Sequence, residues 1–167
     1  SGGQGTVQFM APELMNQAAG VSMLHIPYKS GGLALTAALA GEVDMGFGNL
    51  PAVSGHVKSG LLRALAITSA QRNPAYPDVP TVAEVIGKPY ESYEWNGIFL
   101  PKGTSPDIVN RLQTAVKEVL TTPEVKAKFD SLGSRIIAST PDEFRKYLVN
   151  ESNRWAATVK AAGIKKE

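Results

Sequence analysis

The sequence predicts an α/β fold built on a mixed, mainly parallel sheet. Three apolar runs, at 23–28, 43–47 and 61–68, have the length and composition of buried strands. Between the first two lies a stretch of strong helix formers, 33–40, and Gly41 follows it where a helix commonly ends. A strand, a short helix and a second strand in this order imply parallel pairing through a right-handed crossover.

The elements on either side of this unit follow from their start and stop signals. The chain opens with a glycine-rich loop, 1–6, and Thr6 is a natural N-cap for a helix that extends to about Ala19. Pro12 lies inside that helical pattern and removes one backbone hydrogen bond, so we expect a kink or a later helix start. We also predict short helices over 51–59 and 82–86, and a further strand within 90–100.

Beyond the loop 101–105 the pattern becomes mainly helical. Ser105 and Pro106 have the residue types of an N-cap and a first helical residue. The apolar stripe that follows has helical spacing and consists of Ile108, Leu112, Val116 and Leu120. Two more helices are predicted, one from Pro123 to just before Gly133 and one from the capping-box pattern at 140–143, with a short strand at 136–137 between them.

The composition excludes several classes of function. A formal net charge of +2 is too small to indicate a nucleic-acid partner. The absence of cysteine excludes disulfides, thiolate nucleophiles and cysteine-ligated metals, and the two histidines, His25 and His56, lack the spacing of a metal site. No phosphate loop, nucleophile elbow or metalloprotease motif is present. We therefore expect a protein that is not an enzyme and that needs no metal or cofactor.

The loops that follow the predicted strands are candidates for ligand contact. In parallel α/β sheets, ligands lie beyond the carboxyl ends of the strands, so loops 27–32 and 48–51 should face a cleft. The opening loop 1–6 precedes a helix, whose N-terminus offers free N–H groups and about half a positive charge to a carboxylate. The candidate ligand-binding residues are Ser1, Gly3, Gln4, Gly5, Thr6, Val7, Tyr28, Lys29, Gly48, Asn49 and Trp95.

Each candidate also has an ordinary structural interpretation. The opening loop can be a mobile chain end, Asn49 can close a turn before a helix, and Lys29 can be a solvated surface residue. Trp95 can belong to an aromatic core rather than to a ligand platform. The opening loop is not a dinucleotide-binding fingerprint, because Gln8 stands where a third glycine is required.

Several segments resemble one family of receptors. The motifs "PYKSGG", "GEVDMGFGN", "LLRALAITS", "PDVPTVAEV" and "GIFLPKGTSPDIVNRL" are similar to those of Bug-type (TctC-like) extracytoplasmic solute receptors of tripartite tricarboxylate transporters. The resemblance covers nearly the whole chain but begins part-way into the family pattern, which implies the carboxy-terminal part of a longer receptor. The chain departs from that pattern at Gly48, where the family usually has aspartate.

The resemblance implies a two-lobe, type II periplasmic-binding-protein fold. Residues 1–97 would form the second lobe, and residues 98–167 would be the carboxy-terminal helical return to a first lobe whose amino-terminal part is absent. The implied location is periplasmic, with a signal peptide on that absent part. The implied function is capture of a small organic carboxylate for the membrane subunits of the transporter. If the family's aspartate serves ligands that carry an amino group, its loss favours a plain carboxylate.

Two other functions share this fold plan. One is the effector-binding sensor domain of a transcription regulator, although no helix-turn-helix pattern is present. The other is an α/β enzyme, which the missing catalytic motifs disfavour.

The missing part of the first lobe also has a consequence for association. It would leave the stripe from Ile108 to Leu120, or the face of Phe144, Leu148 and Trp155, without cover, which favours self-association. Alternatively, these helices fold back onto the first 95 residues and cover one another.

Overall fold

Helices account for all the regular secondary structure in the computed structural model, which describes residues 1–164. Each helix lies where the start and stop signals predict one. The helices are α1 (Val7–Ala19), α2 (Gly31–Leu39), α3 (Leu50–Lys58), α4 (Val82–Ile86), α5 (Pro106–Leu120), α6 (Pro123–Ser131) and α7 (Pro141–Ala161).

The predicted strands are wrong as regular elements. Within residues 1–164 the segments 23–28, 43–47, 61–68, 90–100 and 136–137 form no β-ladder, and the parallel bridge between Ile67 and Thr81 is isolated. The predicted pairing of 23–28 with 43–47 is therefore not observed, although the helix between them is.

The physical reason lies in the neighbours of these segments. An apolar run indicates an extended segment, but a ladder also needs a second segment held beside it in register. Ile67 instead accepts a hydrogen bond from the Val82 amide at the start of α4, and its own amide donates to Pro80 in the preceding loop. Leu24 and Leu65 remain 88% and 55% exposed, so the faces that a sheet would bury stay open here.

Two compact units divide the chain. The first comprises Ser1–Glu94 with the segment that begins at Trp155, and the second comprises Trp95–Arg154. Within the first unit, the Tyr90 hydroxyl donates to the Ala11 carbonyl of α1 at 2.9 Å. The buried apolar residues of this unit are Phe9, Met10, Ala11, Ala37, Val82 and Tyr90. The assignment of 1–97 and 98–167 to two lobes remains a prediction.

The second unit is held by aromatic packing at one end and is open along α5. Trp95 packs edge-on against Phe144 and Tyr147, with ring centroids 5.5 and 5.9 Å apart. In contrast, α5 and α6 contain no buried residue, and Ile108 and Leu112 of the predicted stripe are 52% and 43% exposed. The stripe is therefore only partly covered, with Ile108 and Leu112 exposed and Val116 and Leu120 half-buried.

The start of α1 differs from the expectation in two respects. Thr6 occupies the N-cap position, but its hydroxyl donates backward to the Gly3 carbonyl at 2.8 Å and makes no side-chain cap. The helix begins at Val7 and continues through Pro12, so the later start is wrong. Since α1 buries Phe9, Met10 and Ala11 just before the proline, packing offsets the one lost hydrogen bond.

A complete capping box opens α4. The Thr81 hydroxyl accepts from the Glu84 amide, and the Glu84 carboxylate accepts from the Thr81 amide at 2.6 Å. The guanidinium of Arg72 donates to the same carboxylate at 3.0 Å. The Thr81 backbone bond, followed by the Arg72 bond, lowers the pKa of Glu84 below its ordinary value of 4.5.

We predict that Glu84→Gln reduces the acid sensitivity of the fold. Because the carboxyl pKa is lower in the folded chain, its stabilising effect is complete above pH 4.5 and is lost as pH falls through the folded value. Glutamine preserves the capping bond and removes only the charge. Denaturant unfolding at neutral and acidic pH should show a smaller loss of unfolding free energy in the variant. The matched control is Glu118→Gln on exposed α5, and equal pH profiles for the parent and Glu84→Gln would contradict the prediction.

Candidate functional site

The opening loop packs against the turn before α2 in the first unit. The Tyr28 amide donates to the Ser1 carbonyl at 2.9 Å, and the Ser1 hydroxyl accepts from the Gly3 amide at 3.2 Å. The same hydroxyl is 2.6 Å from Nε2 of His25. Two of the predicted site segments, the loop 1–6 and the turn around Tyr28, are therefore brought together.

Glycine permits this close approach. A β-carbon on Gly2 would lie only 2.8 Å from the backbone nitrogen of Gly31, the first residue of α2. Gly3 and Gly5 have φ values of 114° and 77°, which residues with a side chain rarely adopt. The loop thus places its backbone directly against the start of α2.

A side-chain hydrogen bond connects the starts of α1 and α3. Nε2 of Gln8, the second residue of α1, donates to Oδ1 of Asn49, the N-cap of α3, at 3.3 Å. The same nitrogen lies 3.7 Å from the position that a β-carbon on Gly31 would occupy. The N-termini of three helices therefore meet around Gln8.

These helix starts leave donors free. In the described residues 1–164, five first-turn amides donate to no protein acceptor: those of Val7, Gln8, Gly31, Gly32 and Leu50. Each helix N-terminus also carries about half a positive charge. Among the side chains that make the local hydrogen bonds, those of Ser1, Thr6, Gln8 and Asn49, none is a carboxylate. The arrangement suits an anion that accepts several hydrogen bonds.

The remaining predicted residues are exposed or belong to the second unit. Gln4, Gly5 and Lys29 are exposed, with Lys29 next to the Tyr28 turn. Trp95 belongs to the second unit, where it packs among aromatic rings. The part that any of the predicted residues takes in binding stays a prediction.

Gly48 has a steric reason to lack a side chain. A β-carbon at this position would lie 2.5 Å from Cγ1 of Val53, one turn into α3. Val53 therefore occupies the space in which the aspartate of the resembling family would begin, so the wall beside Asn49 is apolar and uncharged at this point.

His25 packs against α1. Its ring lies 4.7 Å from that of Phe9. Burial is the main cause that lowers the His25 pKa below 6.5, and Glu13 opposes this shift by favouring the charged ring. Its hydrogen bond to Ser1 thus connects the loop to the core of α1.

Metal and membrane signals are lacking in the part of the chain that the structure describes. No three His, Asp or Glu side chains in residues 1–164 are grouped as metal ligands. No helix in that range combines the length and the apolarity needed to cross a bilayer.

Gln8 is the residue that the sequence interpretation misses. The sequence pattern presents it only as the residue that breaks a dinucleotide fingerprint, whereas in the structure it forms the contact that joins α1 to α3. Its position in the first turn of a helix after a glycine-rich loop is the local signal that could have identified it.

We predict that Gly48→Ala lowers the unfolding free energy by about 1–3 kcal/mol, because Val53 must move to admit the new methyl group. Gly46→Ala is the matched control, since a β-carbon there meets nothing within 4 Å. Denaturant unfolding of both variants measures the difference. Combining Gly48→Ala with Val53→Ala should remove the clash. If Gly48→Ala lowers the unfolding free energy by the same amount when Val53 is already alanine, the steric explanation is contradicted.

Comparison with known proteins identifies the fold and the family. Residues 1–164 match the family model described as tripartite tricarboxylate transporter family receptor. Solved structures with closely similar Cα paths are R. palustris Rpa4515 with adipate, with a TM-score of 0.89 and 30% identity, and the periplasmic binding protein BugD, with a TM-score of 0.88 and 29% identity. They cover 98% and 99% of this chain, which confirms the predicted periplasmic-binding-protein class. A Cα path can follow strand positions without the hydrogen-bond geometry that defines a ladder.

The lengths of the relatives differ. A UPF0065 protein in the clcB-clcD intergenic region of Pseudomonas knackmussii is 37% identical over 158 residues, and the match covers 94% of both chains. Other curated relatives are matched over about half of their length, 49% and 46%, and the two solved chains over 55% and 56%. With its family model matched from residue 1 to residue 164, the chain belongs to the tripartite tricarboxylate transporter receptor family.

Proposed function

We propose that this chain contributes to periplasmic capture of a small organic carboxylate, without catalysis. The observation that carries this proposal is the meeting of three helix N-termini with five free amide donors. A carboxylate accepts several such bonds at once, and bonds to a charged acceptor are roughly twice as strong as neutral ones.

The proposed ligand class is a carboxylate without an ammonium group. The site supplies donors, while the position where the resembling family usually has an acidic residue is Gly48, backed by Val53. An ammonium group would find no charged acceptor at that wall. One solved relative, Rpa4515, was determined with adipate, a linear dicarboxylate, which supports the same class for this chain.

One pair of side chains resembles a catalytic arrangement, but its surroundings favour binding over catalysis. The Ser1 hydroxyl and His25 Nε2 are within hydrogen-bond distance, as in a nucleophile and its base. In residues 1–164, however, no carboxylate is hydrogen-bonded to the second ring nitrogen of His25, and burial lowers the pKa of this histidine. We assign the pair to the support of the loop.

The proposed partners follow from the family. Membership in this receptor family supports delivery of the ligand to the membrane subunits of a tripartite transporter, and the likeness to the periplasmic protein BugD supports a periplasmic location. The partly covered stripe on α5 supports an additional partner, a second copy of the chain.

The test of ligand capture is a calorimetric titration of the 167-residue chain with adipate and with citrate, followed by Asn49→Leu and Thr6→Val. We expect each variant to weaken binding about tenfold. Asn49→Leu would remove one charge-assisted hydrogen bond, and Thr6→Val would remove the hydroxyl that holds the loop. Asn153→Leu, an exposed change on α7, is the matched control. Absence of binding by the parent chain would overturn the proposed function, and unchanged affinity in both variants would remove Asn49 and Thr6 from the site.

The test of association is light scattering over a range of concentrations. We expect a mass above the 17.7 kDa of one chain, because Ile108 and Leu112 present an apolar surface. Leu112→Glu should restore the monomer, since a charge disrupts an apolar contact, whereas the exposed control Asn110→Glu should not. A parent chain that remains monomeric at high concentration would rule out self-association.

A further inference from the structure

Gln8 controls which atoms of Asn49 are free. An asparagine at an N-cap ordinarily uses its side-chain oxygen to accept amides of its own helix. Asn49 makes no such cap, and its Oδ1 accepts from Gln8 Nε2. The Asn49 side chain therefore keeps its NH₂ group available, and within residues 1–164 this group has no protein acceptor.

This bond also sets the orientation of the Asn49 amide. With Gln8 as the donor, turning the Asn49 amide alone by half a turn would place its NH₂ group against the Gln8 NH₂ group, which loses the hydrogen bond and opposes two donors. As long as Gln8 donates, Asn49 is a donor to anything that binds beside it. The contact joins residues 41 positions apart and so depends on the fold.

We propose that Gln8 is a positioning residue that makes Asn49 a hydrogen-bond donor to the ligand carboxylate. This inference rests on the proposed function and adds a residue that determines specificity. Together with the free amides of the three helices, the oriented NH₂ group makes this wall a set of donors, which selects a carboxylate and disfavours ligands that present donors of their own.

The choice of glutamine at this position has a chemical consequence. Glutamate is nearly isosteric, but its carboxylate only accepts hydrogen bonds, so Asn49 would turn its NH₂ group toward residue 8 and present Oδ1 instead. Gln8→Glu would thus reverse the polarity of Asn49 and add a negative charge beside the ligand. Gln8→Leu would remove the hydrogen bond that orients the Asn49 amide.

The experiment is a double-mutant cycle on the 167-residue chain, with adipate as the titrated ligand. The variants are Gln8→Leu, Asn49→Leu and the two combined, together with Gln8→Glu. We expect Gln8→Leu to weaken binding about tenfold, equivalent to ~1.4 kcal/mol, and the combined variant to bind no more weakly than Asn49→Leu alone. Gln8→Glu should weaken binding more than Gln8→Leu.

The matched control is Gln113→Leu in the second unit. It also removes a glutamine side-chain amide, one that donates to the Ser139 carbonyl. It should leave the affinity unchanged, and thermal unfolding of each variant identifies any loss that is merely structural. Additive effects of Gln8→Leu and Asn49→Leu, or an affinity for adipate unchanged by Gln8→Leu, would overturn the role of Gln8 while leaving the proposed function intact. A parent chain that does not bind adipate would overturn both.

Discussion

The close approach of the Gly2 backbone to the Gly31 amide is the constraint on which the candidate site depends. A β-carbon at residue 2 would lie only 2.8 Å from that nitrogen, so no side chain fits there without movement of the backbone. The Tyr28–Ser1 hydrogen bond and the Ser1–His25 contact hold the loop in this place. Since α1 follows the loop directly, its N-terminus is brought to the start of α2, and Gln8 can reach Asn49 at the start of α3.

The distribution of burial separates the two units. Helix α1 supplies three buried residues, Phe9, Met10 and Ala11, to the first unit, whereas α5 and α6 supply none to the second. The second unit relies on the aromatic packing of Trp95, Phe144 and Tyr147. Exposed apolar residues occur in both units, with Leu24 in the first and Ile108 and Leu112 in the second.

The site combines rigid support with unfilled donors. Gly48 leaves room for the side chain of Val53. The side-chain oxygen of Asn49 accepts a hydrogen bond from Gln8, and it does not cap α3. In both cases a residue of a helical first or second turn sets the chemistry of its neighbour. In the proposed role of this site, such support would fix a donor before the ligand binds, which reduces the entropy that binding must remove.

The sequence by itself determined the seven helices of residues 1–164, the glycine-rich loop before α1, the family motifs and the residue types of the proposed carboxylate site. These features depend on local backbone preference, on capping chemistry and on 3.6-residue periodicity, all of which act within a few positions along the chain. Only the tertiary structure decided that the predicted strands form no ladder, that Trp95 packs among aromatic rings and that Gln8 donates to Asn49. These depend on which distant segments become neighbours, and the 41-residue separation of Gln8 and Asn49 leaves no periodic or capping signal from which their contact could be predicted.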